Sequence, residues 1–580
     1  MIDDFSFLKS LNNKQFQICT GTENYLLVAC PGSGKTRTIT YRLAYLQKKY
    51  PNSRKYNIAI TYTNRAATEI EMRLKDMGID LSVIWTGTIH QFCMNFIIRP
   101  YAMYYGDLRK GYYIIDEYTK EQYCKEIAKE LGIDAKYKKC QDLLMIEDVK
   151  KVYEERLKES KEIDFDMILK ISRDLVCNNN FIAENISSLI RSIHVDEYQD
   201  TNELQYEILA GIFKANKKIN MLFVGDPNQA IYRGLGGVAK SIEELESMFE
   251  SNFVKEELNG CYRSTQRIVE YYKNFENIKS NVYSKASIKD EIGWISYNRF
   301  IDVEELSDEF SKIIIEKLKE GVLEKEICIV APQWYQIYPI ANAMQKCLPN
   351  VKFDAPGVSP FKYNPMNPFY ILAKLLFTVS GENVQIRKKL AIEFLEILVM
   401  EYQVSFNENL DAFFILKIIN SVSKFPKGTE HFDNAVKFIM NKLKVEFKNP
   451  NKLYKVYLGF MKNTKERIER FNLSDSYSDF CNIFKERDGI VINTIHGIKG
   501  EEFNTVIAFD LLNGHLPHWD YIYDSSKQGL RSYETNNLLY VLFSRAKMNL
   551  YLYSETGRKT KKGCNYSATD ELNSLQFQYD

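Results

Sequence analysis

Short apolar runs recur along this chain, each followed by polar, Gly or Pro residues and separated from the next by stretches with helical periodicity. The runs cover residues 26–29, 58–61, 193–195, 221–224, 327–330 and 506–509. A run of this length suits a strand buried on both faces, and helices between successive strands are typical of parallel sheets. The pattern therefore predicts an α/β fold with two parallel sheets.

Two longer segments interrupt this alternation. Residues from about 92 to 187 and from about 365 to 480 are rich in Leu, Ile, Lys and Glu at helical spacing, most clearly at 118–131 and 453–471. We expect both segments to be mainly helical insertions into the α/β cores. Within the second, residues 423–432 contain Pro426 and Gly428 and are expected to form a loop.

Composition and charge narrow the class of protein only slightly. The chain has 580 residues with 77 Lys and Arg against 76 Asp and Glu, so its net charge of +1 indicates no particular partner. No apolar run approaches the ~18 residues of a membrane helix, and the first residues lack the basic and apolar layout of a secretory signal. The 11 Cys and six His never adopt zinc-site spacings. We therefore expect a cytoplasmic protein without a membrane partner.

The first candidate site is a phosphate-binding loop between the strand at 26–29 and a predicted helix. It consists of Ala29, Cys30, Pro31, Gly32, Ser33, Gly34, Lys35 and Thr36. This sequence follows G-x-x-x-x-G-K-[ST] except that Ala29 replaces the first Gly. Its two glycines permit a backbone whose N–H groups face an anion. Lys35 would contact the terminal phosphates and Thr36 would bind Mg²⁺.

An acidic pair follows the apolar run at 193–195. Asp196 would hold Mg²⁺, directly or through water, and Glu197 would accept the proton of an attacking water molecule. Such a pair alone could equally be a solvated strand end. Together with the phosphate loop, it predicts hydrolysis of a nucleoside triphosphate.

Further segments resemble, in order, the motifs of the superfamily 1 helicases of the UvrD, Rep and PcrA type. They are residues 11–15, 61–69, 87–90, 164–166, 224–232, 261–264, 493–503 and 540–546. The resemblance covers most of the chain and implies an ATP-dependent DNA helicase with two RecA-like P-loop domains, each carrying a helical insertion. The implied domains are 1–91 with 188–275 (1A), 92–187 (1B), 276–364 with 481–556 (2A), 365–480 (2B), and a tail at 557–580.

The resemblance also implies roles for individual residues. Gln15, Arg37, Tyr262 and Glu502 would join the phosphate loop in binding ATP, and Gln229 would sense the γ-phosphate. Arg263 and Arg545 would act as arginine fingers from the second side of the cleft, opposite the phosphate loop. Single-stranded DNA, or the tail of a duplex, would move in the 3′ to 5′ direction along a groove. The implied groove residues are Tyr62, Thr63, Asn64, Arg65, His90, Tyr232, Thr494 and His496.

The chain departs from the family pattern at several positions, which leaves a second function open. Where the family usually has an aromatic residue and an arginine after Tyr232, this chain has residues 233–237, Arg-Gly-Leu-Gly-Gly. Asn536 and Asn537 replace arginines that are common there, and Cys261 replaces an Asn. A looser resemblance to the helicase-like subunits of Gabija-type anti-phage systems suggests the alternative, a DNA-sensing regulatory ATPase that controls an OLD-type nuclease.

A basic stretch in the second insertion permits two interpretations. Residues 441–471 contain nine Lys and Arg against three Glu, interleaved with aromatic residues. The stretch could bind duplex phosphates, or it could be the solvated face of a helix over a local core.

Overall fold

A first sheet of six parallel strands carries the amino-terminal part of the chain in the computed structural model. In spatial order, its strands are Ile84–Thr88, Tyr56–Thr61, Ile190–Asp196, Asn220–Gly225, Tyr25–Ala29 and Val254–Leu258. The inner strands are almost continuously buried, as expected for a parallel sheet covered by helices on both faces. Because Tyr25–Ala29 is hydrogen-bonded to Asn220–Gly225, which in turn is bonded to Ile190–Asp196, the segments after these strands meet at one edge.

A second sheet, also of six parallel strands, is built from the carboxyl-terminal half. In spatial order, its strands are Trp294–Asn298, Ala546–Tyr553, Phe503–Ala508, Ile327–Ala331, Ile490–Thr494 and Phe353–Asp354. Two-residue strands form two small parallel pairs, Gly260–Cys261 with Tyr283–Ser284 and Tyr113–Ile114 with Glu162–Ile163. The predicted α/β class with two parallel sheets is therefore confirmed, and all the apolar runs named above lie wholly or largely within strands.

The structure describes most of the chain. The described residues are 5–115, 117–135, 138–355, 359–362, 364, 367–378, 384–402, 404–406, 410–449, 451–471, 473–484, 489–525, 527–560 and 562–580. Among these residues, no helix combines the length and apolar character needed to cross a membrane.

The chain forms two units. The first comprises Met1–Ile97, Ser172–Ala355 and Asp488–Asp580 and contains both six-stranded sheets. Its α-helices include Asn13–Thr20, Lys35–Lys49, Asn64–Asp76, Ile89–Phe92, Asn180–Ser188, Glu203–Ala215, Ile242–Phe249, Gln266–Lys273, Leu306–Lys319, Trp334–Cys347, Trp519–Tyr523, Arg531–Phe543 and Asp570–Asn573. The four-domain division implied by the sequence stays a prediction.

The second unit comprises Ile98–Ile171 and Pro356–Arg487 and is mainly helical. Its helices include Arg99–Tyr101, Glu117–Glu130, Cys140–Leu144, Glu147–Ser160, Pro368–Phe377, Val384–Met400, Ala412–Asn420, Gly428–Lys442, Lys452–Phe471 and Tyr477–Ile483, and Phe165–Cys177 continues into the first unit. The helices predicted at 118–131 and 453–471 are confirmed to within one residue.

The loop predicted at 423–432 is only partly present, because a helix begins inside it at Gly428. The start of this helix is held by Asp475, whose carboxylate accepts hydrogen bonds from the backbone and the hydroxyl of Thr429. A Cβ at position 428 would lie 2.4 Å from the Phe480 ring. Gly428 therefore permits close packing at a helix start, where the sequence suggested a turn.

The aromatic residues of the basic stretch belong to the core of the helical unit. Tyr457 is buried, and Phe447, Tyr454 and Phe460 pack against the same core. The Lys452 ammonium group forms a salt bridge of 2.9 Å with Glu162 and lies over the Tyr113 ring. These contacts favour the interpretation of the stretch as a helix over a local core, with the remaining basic side chains outside it.

A buried ion pair lies in the part of the helical unit formed by Ile98–Ile171. Lys120 and Asp164 are each about 5% exposed and lie 3.1 Å apart. Asp164 also accepts hydrogen bonds from the Tyr153 hydroxyl at 2.9 Å and the Met167 backbone at 2.8 Å. Asp166 contacts the same ammonium group, but its side chain is 82% exposed.

We expect Asp164→Ala to destabilise this unit by about 3–5 kcal/mol, because it leaves the Lys120 charge buried beside only an exposed carboxylate. Asp166→Ala is the matched control and should cost about 1 kcal/mol or less. Urea unfolding, followed by hydrogen exchange in Glu117–Glu130 and Phe165–Cys177, measures both effects. Equal losses in the two variants would contradict this account of the buried pair.

Candidate functional site

The predicted phosphate loop is a tight turn between a strand and a helix. It leaves the strand Tyr25–Ala29 and ends where Lys35–Lys49 begins. Gly32 and Gly34 have φ values of 70° and 89°, the left-handed region that glycine adopts without strain. The Ser33 hydroxyl donates a hydrogen bond of 2.7 Å to the Cys30 carbonyl across the turn. The loop thus lies at a helix N-terminus, which favours anions.

Gln15, one of the residues predicted to bind ATP, contacts this loop. Gln15 is buried and donates from its Nε2 to the Ser33 carbonyl at 3.3 Å. It belongs to a capping box with Asn12 at the start of Asn13–Thr20. Arg37, also predicted to bind ATP, instead donates to the backbone and hydroxyl oxygens of Ser10.

The loop is packed tightly against the segment 261–263. A Cβ at Gly32 would lie 2.7 Å from Arg263 Cβ and 3.0 Å from Cys261 Sγ. The Tyr262 backbone N–H donates a hydrogen bond of 2.8 Å to the Gly32 carbonyl. The Tyr262 ring is 48% exposed beside the loop and is free to stack on a planar ligand.

Lys35 and the acidic pair meet at the edge of the first sheet. Lys35 Nζ lies 3.5 Å from Glu197 Oε1 and makes no hydrogen bond within the described part of the chain, although it is buried. Glu197 has a φ of 54°, so its backbone is strained as its side chain turns toward Lys35. A buried ammonium group that pairs with a carboxylate but donates no hydrogen bond has its donors available for a phosphate oxygen.

The two carboxylates have opposite electrostatic environments. Burial, together with the Glu197 charge, raises the pKa of Asp196. Burial also acts to raise the pKa of Glu197, but the charges of Lys35 and Lys499 outweigh it and lower that pKa. Glu197 is thus held as a carboxylate, the form that can accept a proton.

A continuous chain of hydrogen bonds leads from Glu197 to the second sheet. Gln199 donates to Glu197, and its Oε1 accepts from the Asp226 backbone at 3.1 Å. Asp226 accepts from Gln229 Nε2 at 2.7 Å. Gln229 Oε1 then accepts from Arg545 Nη2 at 3.0 Å. The structure therefore brings Lys35 and Arg545 into one connected site.

Arg545 carries a positive charge that these contacts do not neutralise. Its side chain is 2% exposed. Its hydrogen bonds within the described part of the chain end on neutral oxygens, namely those of Val541, Glu501, Gln229 and Ser544. Burial and the nearby Arg263 lower the pKa of Arg545 to about 10, so it remains protonated at neutral pH. The site is prepared for an additional anion.

Arg263 reaches the same region from the other side of the phosphate loop. Its Nε lies 2.7 Å from Glu502 Oε2, and its Nη1 donates to the Ser544 carbonyl at 2.9 Å. Lys547 also contacts Glu502, at 3.1 Å. Burial opposes ionisation of Glu502, but Arg263 and Lys547 lower its pKa to about 2. Glu502, predicted to bind ATP, is thus paired with two cations here.

Sequence reasoning missed Lys499 and Asp200 as members of the site. The Lys499 ammonium group lies 2.5 Å from Asp200 Oδ2 and donates to the Gln229 carbonyl at 2.6 Å. It also lies over the Tyr232 ring, 5.1 Å from its centroid. The available signal was the position of Lys499 inside the motif-like segment 493–503 and that of Asp200 just after the acidic pair, four residues beyond Asp196.

Three predicted DNA-contact residues form one aromatic stack. Tyr62, which is 39% exposed, stacks on Tyr232 with 4.4 Å between centroids and 27° between planes. Tyr232 also contacts the His496 ring at 5.5 Å and donates from its hydroxyl to the His496 carbonyl. The stack thus joins the first sheet to the segment after the strand Ile490–Thr494.

The other predicted groove residues cap helices or turns, form an ion pair with a distant segment, or lie on a short helix. Thr63 caps the helix Asn64–Asp76 by accepting from the Ala66 backbone, and Asn64 is the first residue of that helix. Arg65 pairs with Glu501 at 2.5 Å. Thr494 accepts from the Gly497 backbone, and His90 lies on Ile89–Phe92 after an edge strand.

Comparison with known proteins relates this chain to helicases along most of its length. The family model of the UvrD/REP helicase N-terminal domain matches residues 11–151 and 141–250, and that of the UvrD-like helicase C-terminal domain matches 459–556. The chain belongs to the UvrD/Rep helicase family. It is therefore a helicase-type enzyme of superfamily 1, and its two sheets are the RecA-like domains of that family.

Similar curated proteins agree with this membership. The ATP-dependent DNA helicase PcrA of Staphylococcus epidermidis is 25% identical, over 95% of this chain and 84% of its own length. The ATP-dependent DNA helicase PcrA of Staphylococcus aureus is 24% identical with the same coverage. The match of this UvrD/Rep-type chain to its relatives thus includes the helical unit.

A magnesium ion fits the chemistry of this UvrD/Rep-type site. Asp196 and Thr36 offer a carboxylate and a hydroxyl, the hard oxygen ligands that Mg²⁺ prefers. Among the described residues, no group of three or more His, Cys, Asp or Glu could hold a metal ion. A site with few protein ligands suits Mg²⁺, which keeps several water molecules and shares phosphate oxygens.

We expect Gly32→Ala to destabilise the loop more than Gly78→Ala. Both residues have a φ near 70°, which should cost about 1–2 kcal/mol for alanine. Only the Cβ at position 32 would meet Arg263 and Cys261, adding about 1–3 kcal/mol, whereas no described atom lies within 4 Å of a Cβ at 78. Thermal unfolding measures the difference, and equal melting temperatures would contradict the close packing.

Proposed function

We propose that this chain hydrolyses Mg-ATP and uses the energy to move along single-stranded DNA in the 3′ to 5′ direction. Membership of the UvrD/Rep family supports the helicase chemistry, and the PcrA relatives are named as ATP-dependent DNA helicases. The finer points are the nucleotide, the metal, the stimulation by single-stranded DNA and the polarity. The first three are argued from the residues described above, and the polarity is what the family resemblance implies.

The observation that carries the proposal is the pair of buried cations that one connected site brings together. Lys35 comes from the first sheet and forms an ion pair with Glu197, and hydrogen bonds through Gln199, Asp226 and Gln229 lead from Glu197 to Arg545 of the second sheet. Among the described residues Lys35 Nζ has no hydrogen-bond acceptor and Arg545 donates only to neutral oxygens, so a triphosphate would supply both with negatively charged acceptors. Since its phosphates would contact both sheets, binding and hydrolysis would change how strongly the two sheets attract each other.

The residues of the site can divide the chemistry of hydrolysis among them. Lys35 and the loop N–H groups bind the terminal phosphates, and Glu197 accepts the proton of the attacking water molecule. Arg263 and Arg545 neutralise the charge that develops on the transferred phosphoryl group. Thr36 and Asp196 would hold Mg²⁺, which would supply positive charge to offset that of the phosphates. Tyr262 stacks on the adenine beside Gln15.

The contacts of Tyr232 support coupling between the nucleotide and DNA. Gln229 lies three residues before Tyr232, and Lys499 touches both the Gln229 carbonyl and the Tyr232 ring. A change at the γ-phosphate would therefore reach the stack of Tyr62, Tyr232 and His496 through one side chain. Bases of single-stranded DNA can stack on such rings without sequence preference.

Lys35→Ala is expected to abolish DNA-stimulated ATP hydrolysis, because it removes the cation that meets the terminal phosphates. Arg545→Lys should lower kcat by about a thousandfold or more, since a lysine lacks the planar fork of the guanidinium group. Lys49→Ala, at the far end of the same helix, is the control and should retain wild-type rates. Phosphate release with and without single-stranded DNA measures all three, and full activity of Lys35→Ala would refute the assignment.

Tyr62→Ala and Tyr232→Ala should each weaken binding of single-stranded DNA by about 1–3 kcal/mol through the loss of a stacking surface. Tyr523→Ala removes a ring that is 74% exposed outside this stack and serves as the control. Fluorescence anisotropy with a labelled oligonucleotide measures the affinities. Duplexes with 3′ or 5′ tails test polarity, and preferential unwinding of 5′-tailed duplexes would contradict the proposed direction.

One observation favours the second candidate, a DNA-sensing regulatory ATPase acting on an OLD-type nuclease. The family resemblance leads us to expect an aromatic side chain at about position 234, where it would be a base-stacking wedge, but this chain has Gly234. The nearest atom to a Cβ added there is the Tyr521 hydroxyl at 3.8 Å, so no other side chain among the described residues takes the place of the wedge in direct contact with Gly234. Arg233 stacks on Tyr533 with 4.7 Å to its centroid. DNA-stimulated ATPase without unwinding, together with altered cleavage by a co-expressed OLD-type nuclease, would favour this candidate.

A further inference from the structure

Two cysteines of the helical unit are in direct contact. Cys124 lies on the helix Glu117–Glu130, and Cys140 is the first residue of the helix Cys140–Leu144. Their Sγ atoms are 2.6 Å apart, although the two residues are 16 positions apart in the sequence. A disulfide bond is about 2.05 Å long, so a small movement of either sulfur atom would bring the pair to bonding distance.

The surroundings of the pair leave one side open to small solutes. Cys124 is fully buried in an apolar core that includes Ile127 and Leu143. Cys140 is only partly buried and packs against that core, with its Sγ 3.9 Å from the Lys120 carbonyl oxygen. Among the described residues, the two thiols belong to no group of three or more His, Cys, Asp or Glu that could hold a metal ion. The arrangement therefore suits a disulfide rather than a zinc site.

The hydrogen bond between the two thiols distributes their protons unequally. It lowers the pKa of Cys124 by more than burial raises it, and the charge of Lys120 acts in the same direction. The same hydrogen bond, together with burial, raises the pKa of Cys140, so the proton stays on Cys140. Burial instead raises the pKa of Cys19 and that of Cys93 to about 12. Since the thiolate is the reactive form, Cys124 is better prepared for oxidation than these two buried thiols.

We propose that Cys124 and Cys140 are a site of reversible oxidation, at which hydrogen peroxide converts the two thiols into a disulfide. The disulfide links the helix Glu117–Glu130 to the helix Cys140–Leu144. Neither cysteine belongs to the nucleotide site or to the aromatic stack. The proposal therefore does not depend on the proposed ATPase and translocase function.

The oxidation takes place in two steps that balance. The Cys124 thiolate attacks one oxygen of hydrogen peroxide, the O–O bond breaks, hydroxide leaves, and Cys124 becomes a sulfenic acid. The Cys140 sulfur then attacks the sulfenic sulfur, the S–O bond breaks, and the Cys140 proton leaves with the hydroxyl group as water. The two sulfur atoms together lose two electrons, which the peroxide accepts.

Peptide mapping of the full chain tests the site. The protein is treated with hydrogen peroxide, its remaining thiols are blocked with N-ethylmaleimide, and it is digested without a reductant. The expected product is a pair of peptides joined through Cys124 and Cys140, lighter by two hydrogen atoms than the separate peptides. The pair should be absent from protein kept in dithiothreitol, and dithiothreitol added after oxidation should separate it.

Two serine variants distinguish this pair from the other cysteines. Cys140→Ser should form no such disulfide, and its Cys124 should stop at the sulfenic acid, which a 1,3-diketone probe traps. Cys177→Ser is the matched control, because Cys177 is exposed and its Sγ contacts the Glu207 carbonyl oxygen at 3.7 Å. It should form the disulfide to the same extent as the wild type. The far-UV circular dichroism of each variant checks that it folds.

Hydrogen exchange measures the effect of the link on the wild-type protein. Oxidation should slow exchange in Cys140–Leu144 by at least about tenfold, because a disulfide restricts separation of the two helices. Dithiothreitol should restore the original rate. Three results would overturn the proposal: free thiols at both positions after treatment that oxidises the exposed Cys177, a disulfide from either residue to a different cysteine, or oxidation that dithiothreitol does not reverse.

Discussion

The hydrogen bond between Gln229 and Arg545 is the contact on which the nucleotide site depends. It joins a residue that follows a strand of the first sheet to a buried guanidinium group of the second. A buried cation surrounded by neutral acceptors is costly, and so is the buried Lys35 ammonium group, which pairs with Glu197 but donates no hydrogen bond among the described residues. A phosphate group that accepts from both cations would reduce both costs, which explains why residues of two sheets would build one site.

Close packing around the phosphate loop also fixes the positions of groups in this site. Gly32 brings the loop into contact with Arg263 and Cys261, so the position of the loop and that of one arginine are set together. Glu502 and Lys547 orient the same arginine from the second sheet. The Lys499 ammonium group lies over the Tyr232 ring and so connects the site to the aromatic stack. Nucleotide contacts and stacking surface are thus connected through a few short, specific contacts.

The helical unit is stabilised by interactions of a different kind. Its stability rests on an extensive apolar core and on buried ion pairs such as Lys120 with Asp164. The proposed nucleotide site is instead built from charged groups at the ends of parallel strands.

The sequence by itself determined the α/β class, the strands, the phosphate loop and the family, because these depend on local periodicity and on short motifs with fixed spacing. It also predicted that Lys35 and Arg545 would act at one site, an inference that came from the family resemblance. Only the tertiary structure decided which side chains connect them. The roles of Gln199, Asp226, Lys499 and Asp200 depend on contacts between strands that are distant in sequence, and no local pattern encodes such contacts. The helix start at Gly428 was missed for the same reason, since Phe480 and Asp475 hold it from another helix and its preceding loop.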